Sequence, residues 1–178
     1  MVADDHMEID MTDLTAALDT IRPVLADRYA NQVRRAFAAM VEVHGADLRG
    51  IHNSWDFART YRGLVASVLT WTGHGAHSTC AIDETKLAKV AAAYAEAAVA
   101  QWKGKIEGKL GDLTEVNVVR MAGACFGIKG SRAGRSVWIE QDVIMKSSTK
   151  GLLFNQFPAR IYVDGKFTSE AKYKAAFA

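Results

Sequence analysis

Along the first hundred residues, apolar side chains recur at three- and four-residue steps, the spacing of one face of a helix. Leu14, Leu18 and Ile21 predict a short first helix with Thr12 as its N-terminal cap and Asp13 as a favourable first-turn carboxylate. Pro23 suits the first turn of a second helix, VLADRYANQVRRAFAAMVEVH, which Gly45 ends. Its stripe is Leu25, Tyr29, Val33, Phe37, Met40 and Val41, and Arg28, Arg34, Arg35 and Glu42 take the other side. The spacing predicts a third helix from Asn53 or Ser54 through Trp55, Tyr61, Leu64, Val65, Val68 and Leu69 to Trp71, followed by TGHGAHSTC as a loop. Asp83 then caps a fourth helix carried by Leu87, Val90, Ala91, Tyr94, Ala98, Trp102 and Ile106, which Gly104, Gly108 and Gly111 weaken towards its end.

After Gly111 the period shortens towards two, and β-branched and aromatic residues replace alanine. VNVVRMAGACFGIKG, SVWIEQDVIMKSS and LLFNQFPARIYV read as three strands joined by the turns SRAGR and STKG. In the middle strand Val137, Ile139, Gln141, Val143 and Met145 share one face, and Trp138, Glu140, Asp142, Ile144 and Lys146 the other. Asp164-Gly165 is a strong two-residue hairpin signal between IYV and KFT, and Ser169 can cap a last small helix, SEAKYKAAF. The expected fold is α+β: an N-terminal bundle of about four helices packed on a C-terminal antiparallel sheet of three to four strands. No repeat or linker divides the chain, so residues 1–178 are read as one domain. Residues 1–11 form a flexible acidic N-terminus, 12–110 a helical layer, and 111–178 the sheet with its terminal helix.

Composition narrows the class without naming a function. A chain of 178 residues buries roughly 70% of its extended surface on folding, enough for a core without staples. At 49% hydrophobic and 24% charged residues, neither a disordered nor a fibrous chain is favoured. Cys80 and Cys125 read as reduced thiols of a cytoplasmic protein, and the acidic start MVADDHMEID lacks the basic and apolar segments of an export signal. The alanine-rich stretch from Val90 to Val99 is too short to cross a bilayer, so no membrane partner is expected. Charge is unevenly spread. Residues 1–100 hold 9 basic and 13 acidic residues (−4), and residues 101–178 hold 13 basic and 7 acidic (+6). A basic C-terminal part suits nucleic acid, an acidic protein or the chain's own acidic half.

Four groups of residues carry candidate chemistry. His74, His77 and Cys80 stand three apart in a glycine-containing loop, and Cys125, Asp83 or His52 would complete a tetrahedral zinc set, although the spacing matches no strong zinc signature. Lys129, Arg132 and Arg135 surround GIKGSRAGR, with Lys146, Lys150 and Arg160 on neighbouring segments. The turns at the two ends of the middle strand keep these charges from forming one patch, so Arg132 and Arg135 are the pair expected to act together on a phosphate. Trp138, Phe154, Phe157 and Tyr162 would stack on bases if they faced outward, with core packing as the ordinary role for most of them. Glu140 and Asp142 share a strand face but have no catalytic partner at a defined spacing, and the chain contains no GxSxG or phosphate-loop motif.

The C-terminal stretch SSTKGLLFNQFPARIYVDGKF resembles the tails of uncharacterised small proteins encoded by bacteriophages, over roughly the last third of the chain. That resemblance implies a host-interaction, replication or virion accessory role in the host cytoplasm, and it transfers no site residues. With no catalytic constellation, the residues favour a non-catalytic binding protein. Its nucleic-acid-binding residues are then Lys129, Arg132, Arg135 and Lys150, acting mainly on phosphates, with no cofactor. One alternative is a protein-interaction or inhibitor subunit that uses open sheet edges or forms a homo-oligomer. The other is a metal-dependent enzyme that holds zinc on His74, His77 and Cys80.

Overall fold

The computed structural model describes residues 13–44, 66–73, 79–121, 125–142 and 160–178. Its elements run α1 (Leu14–Asp19), α2 (Arg22–His44), a 3-10 turn (Ala66–Val68), β1 (Leu69–Thr72), β2 (Thr79–Ile82), α3 (Glu84–Leu110), β3 (Thr114–Arg120), β4 (Cys125–Arg132), β5 (Arg135–Asp142), β6 (Arg160–Val163), β7 (Lys166–Thr168) and α4 (Glu170–Ala176). The class is α+β, with helices leading and a five-stranded antiparallel sheet following. Among the described residues no helix is long and apolar enough to cross a membrane.

The chain divides into two compact units, and the division falls inside α3 and not at Gly111. One unit comprises Arg22–Ala98 and Ile144–Leu153. Its core is the inward stripe of α2, with Tyr29, Val33, Ala36 and Met40 packed among Val68, Leu69, Leu87 and Ala91. Phe37 and Val41, at the stripe's edge, are half-buried. Asp83 caps α3 by accepting the Lys86 backbone N–H at 3.0 Å, and that bond holds its carboxyl below the usual range. A bidentate pair between Arg34 and Glu84 ties the start of α3 to α2.

The other unit comprises Met1–Ile21, Val99–Val143 and Phe154–Ala178, and it holds the large sheet as a meander in the order β3-β4-β5-β6-β7. Two-residue turns with positive φ close two of its hairpins: Ala133 and Gly134 at 50° and 74°, and Asp164 and Gly165 at 50° and 75°. One sheet face is the core. Val116, Phe126, Ile128, Val137, Ile139, Ile161 and Val163 are buried there beside Leu14, Leu18, Trp102, Ile106, Leu110 and Tyr173. The Trp102 and Phe126 rings meet at 5.8 Å. Ser169 caps α4 by accepting the Lys172 N–H at 3.3 Å.

Several expectations are corrected. Asp13, not Thr12, caps α1, because its carboxylate reaches the Thr15 N–H at 3.0 Å. Three helices precede the sheet among the described residues, so these form no four-helix bundle. The start of the expected third helix lies outside the described residues. Its end is a 3-10 turn and then β1, because the alternating Thr70 and Thr72 favour extended backbone over the apolar spacing. Thr79 and Cys80, read as loop, belong to β2, which pairs with β1. The stretch VNVVRMAGACFGIKG, read as one strand, is two antiparallel strands, which makes the sheet five-stranded. A single glycine, Gly123, interrupts that stretch, and an isolated glycine in a strand pattern reads as a bulge as readily as a break.

Gly104 and Gly108 are exposed on α3, and an added Cβ at either would meet nothing within 4 Å. Gly104→Ala and Gly108→Ala should each raise stability by about 0.5–1 kcal/mol, read as a higher denaturant midpoint.

Candidate nucleic-acid interface

The sheet face turned away from the buried side is where chemistry-bearing residues converge. Strand alternation sends Val137, Ile139 and Gln141 of β5 inward, all at 0% exposure, and so sends Trp138 and Glu140 outward. Cross-strand register then builds a lateral row. Asn117 pairs with Lys129, Lys129 with Trp138, Trp138 with Tyr162, and Tyr162 with Phe167, one residue from each of the five strands. At about 4.8 Å between strands this row spans about 19 Å. Lys129 is exposed and takes part in none of the ion pairs found among the described residues, and Phe167 is 68% exposed. Tyr162 and Phe167 meet edge to face, with ring centroids 5.9 Å apart.

Trp138 lies across the sheet because Gly127 makes room for it. A Cβ on Gly127 would stand 2.1 Å from the indole Cη2, so only glycine lets the ring settle against the backbone of β4. The indole N–H points to Glu140 Oε1 at 3.4 Å, and Glu140 Oε2 accepts from Arg160 Nη1 at 3.1 Å. This pairing raises the Arg160 pKa above its ordinary value, chiefly through the hydrogen bond. One row of the face thus presents a cation and three aromatic rings, and the next presents a neutralised ion pair, with exposed Val119 at that row's β3 end beyond Gly127.

The expected arginine pair does not join this surface. Arg132 sits on the opposite face of β4, where its guanidinium donates to the Leu110 carbonyl at the end of α3 and to the Tyr173 hydroxyl, and lies 5.1 Å from the Phe177 ring centroid. Tyr173 donates to the same carbonyl at 2.9 Å. Gly111, at φ 71°, follows the helix end with its would-be Cβ only 2.8 Å from that guanidinium, so the cap admits no side chain there. Arg132 therefore serves as a helix C-cap, a favourable place for a cation. Arg135 pairs with Asp164 at 2.8 Å and covers the other contact of the Phe177 ring at 5.5 Å, and the arginine holds the Asp164 carboxyl below its usual range. Arg132→Met should lower stability by about 2 kcal/mol in denaturant unfolding.

Of the remaining predicted residues, Lys150, His74, His77, Phe154 and Phe157 lie outside the described residues. Cys80 is half-buried on β2 opposite Trp71, and burial pushes its thiol pKa up. Asp83 is engaged as a cap, and Cys125 lies 3.9 Å from the Met121 sulfur. Among the described residues no group of three His, Cys, Asp or Glu side chains is placed to hold a metal ion. Phe167 was not singled out from the sequence, although the Asp164-Gly165 turn carried the signal: a two-residue hairpin fixes Tyr162 opposite Phe167. Comparison with protein-family models, with curated proteins and with solved structures finds no match for this chain.

Proposed function

We propose that the open face of the sheet binds single-stranded nucleic acid, with bases stacking on Trp138 and Phe167 and Lys129 contacting the backbone. The observation that supports this reading is the lateral row from Lys129 through Trp138 and Tyr162 to Phe167, drawn from four adjacent strands on the face away from the core. Aromatic side chains on an exposed sheet are a recurring platform for single strands, because every base offers a π-face while a duplex hides its own. The emphasis moves from phosphate recognition by the hairpin arginines to stacking, since Arg132 and Arg135 are occupied within the fold. A single-strand binder also suits the accessory role implied by the resemblance of the C-terminal stretch to phage-encoded proteins.

The test is equilibrium binding of labelled single- and double-stranded oligonucleotides across a salt series. With Lys129 as the main unpaired cation of the row, the log–log salt slope for a single strand should be shallow, on the order of −1. Single strands should bind more tightly than duplex of the same length. A steep slope with equal affinity for duplex would contradict the stacking account, and no binding at low salt would contradict any nucleic-acid role.

A further inference from the structure

Resting on that reading, we infer that Glu140 tunes the site: by holding Arg160 in a neutral pair beside Trp138, it withholds a phosphate contact and leaves recognition to stacking. Arg160 is the most exposed member of this pair, with 64% of its side chain accessible against 17% for Glu140. It stands on the open face of β6, two residues before Tyr162 and directly across from Glu140. A guanidinium there is within reach of a strand lying over the aromatic row, yet its charge is cancelled by a carboxylate that also repels phosphate. The same carboxylate has a second duty, because its other oxygen faces the Trp138 indole N–H.

The two duties separate chemically. Glutamine at position 140 retains a carbonyl oxygen for the indole and removes only the charge, so Glu140→Gln unmasks Arg160 without releasing the ring. Arg160→Gln does the reverse, leaving a negative charge alone on the face. The double variant restores neutrality. If Glu140 sets the charge of the site, affinity for a single-stranded oligothymidylate at low salt orders as E140Q above wild type, wild type level with E140Q/R160Q, and R160Q lowest. Each step should be about fivefold, the size expected of one surface charge. The salt slope of E140Q should be steeper than wild type by about 0.7, one further phosphate contact on a single strand.

If Glu140 only positions Trp138, E140Q binds like wild type with an unchanged slope, and the double variant follows R160Q; that pattern overturns the inference and leaves the stacking face intact. Failure of the wild type to bind oligothymidylate at low salt overturns both together. R160Q keeps the charge claim open to refutation on its own, since affinity equal to wild type would show that the ion pair does not face the ligand.

Discussion

Replacing Trp138 with alanine should cut affinity for single-stranded oligonucleotides by about 10- to 100-fold while the protein stays folded. Stacking of one base on an aromatic side chain contributes about 1–3 kcal/mol by alanine substitution, and Trp138 offers the largest ring of the row. The structural cost is small because the ring lies on the open face, against Gly127, and not in the core. Fluorescence anisotropy of a labelled oligonucleotide measures the loss. Trp71→Ala is the control: that tryptophan is exposed, on β1, and does not belong to the row. Gly127→Ala should reproduce part of the Trp138→Ala effect, because the added methyl group displaces the indole from its seat.

Trp102→Ala should have the largest effect on stability, about 3–5 kcal/mol by denaturant unfolding. The side chain is 1% exposed on α3 and packs against the Phe126 ring, which β4 presents to the buried face. Truncation leaves a cavity between helix and sheet that neither rigid element can close. Phe126 lies one residue from Gly127 on the same strand, so the loss also tests whether the open face depends on the covered one. A cost below about 1 kcal/mol would mean that the helix and sheet do not share this core.

Much of the architecture was legible from local chemistry. The stripe of α2, the Asp83 and Ser169 caps and the Asp164-Gly165 turn are short-range signals, each set by residues within one or two turns of the chain, and the structure shows all of them. The two faces of β5 were also readable by alternation, with Gln141 grouped with Val137 and Ile139. What alternation cannot supply is which face the helices cover. A preference for burying the largest aromatic would have placed Trp138 inside and Gln141 outside, whereas the aliphatic residues at 137 and 139 decide the matter.

The candidate site was partly visible for the same reason. Lys129, Trp138 and Tyr162 were named from the sequence, but their alignment in one row depends on the register of three strands. The contacts of Arg132 within the fold were not legible because its partners are distant: Leu110 lies 22 residues before it and Tyr173 41 residues after it. A basic residue beside a glycine turn looks the same in sequence whether it greets a phosphate or caps a helix. Only the tertiary contact with α3 and α4 separates the two.

The most direct test of the stacking face is a chemical-shift titration of the protein with a single-stranded oligothymidylate. The account predicts one saturable set of shifts at Lys129, the Trp138 indole N–H, Tyr162 and Phe167, with the resonances of Arg132 and Tyr173 unmoved. Shifts gathered instead around Arg132, the Ala133-Gly134 turn and Arg135, with the Trp138 indole unchanged, would contradict it.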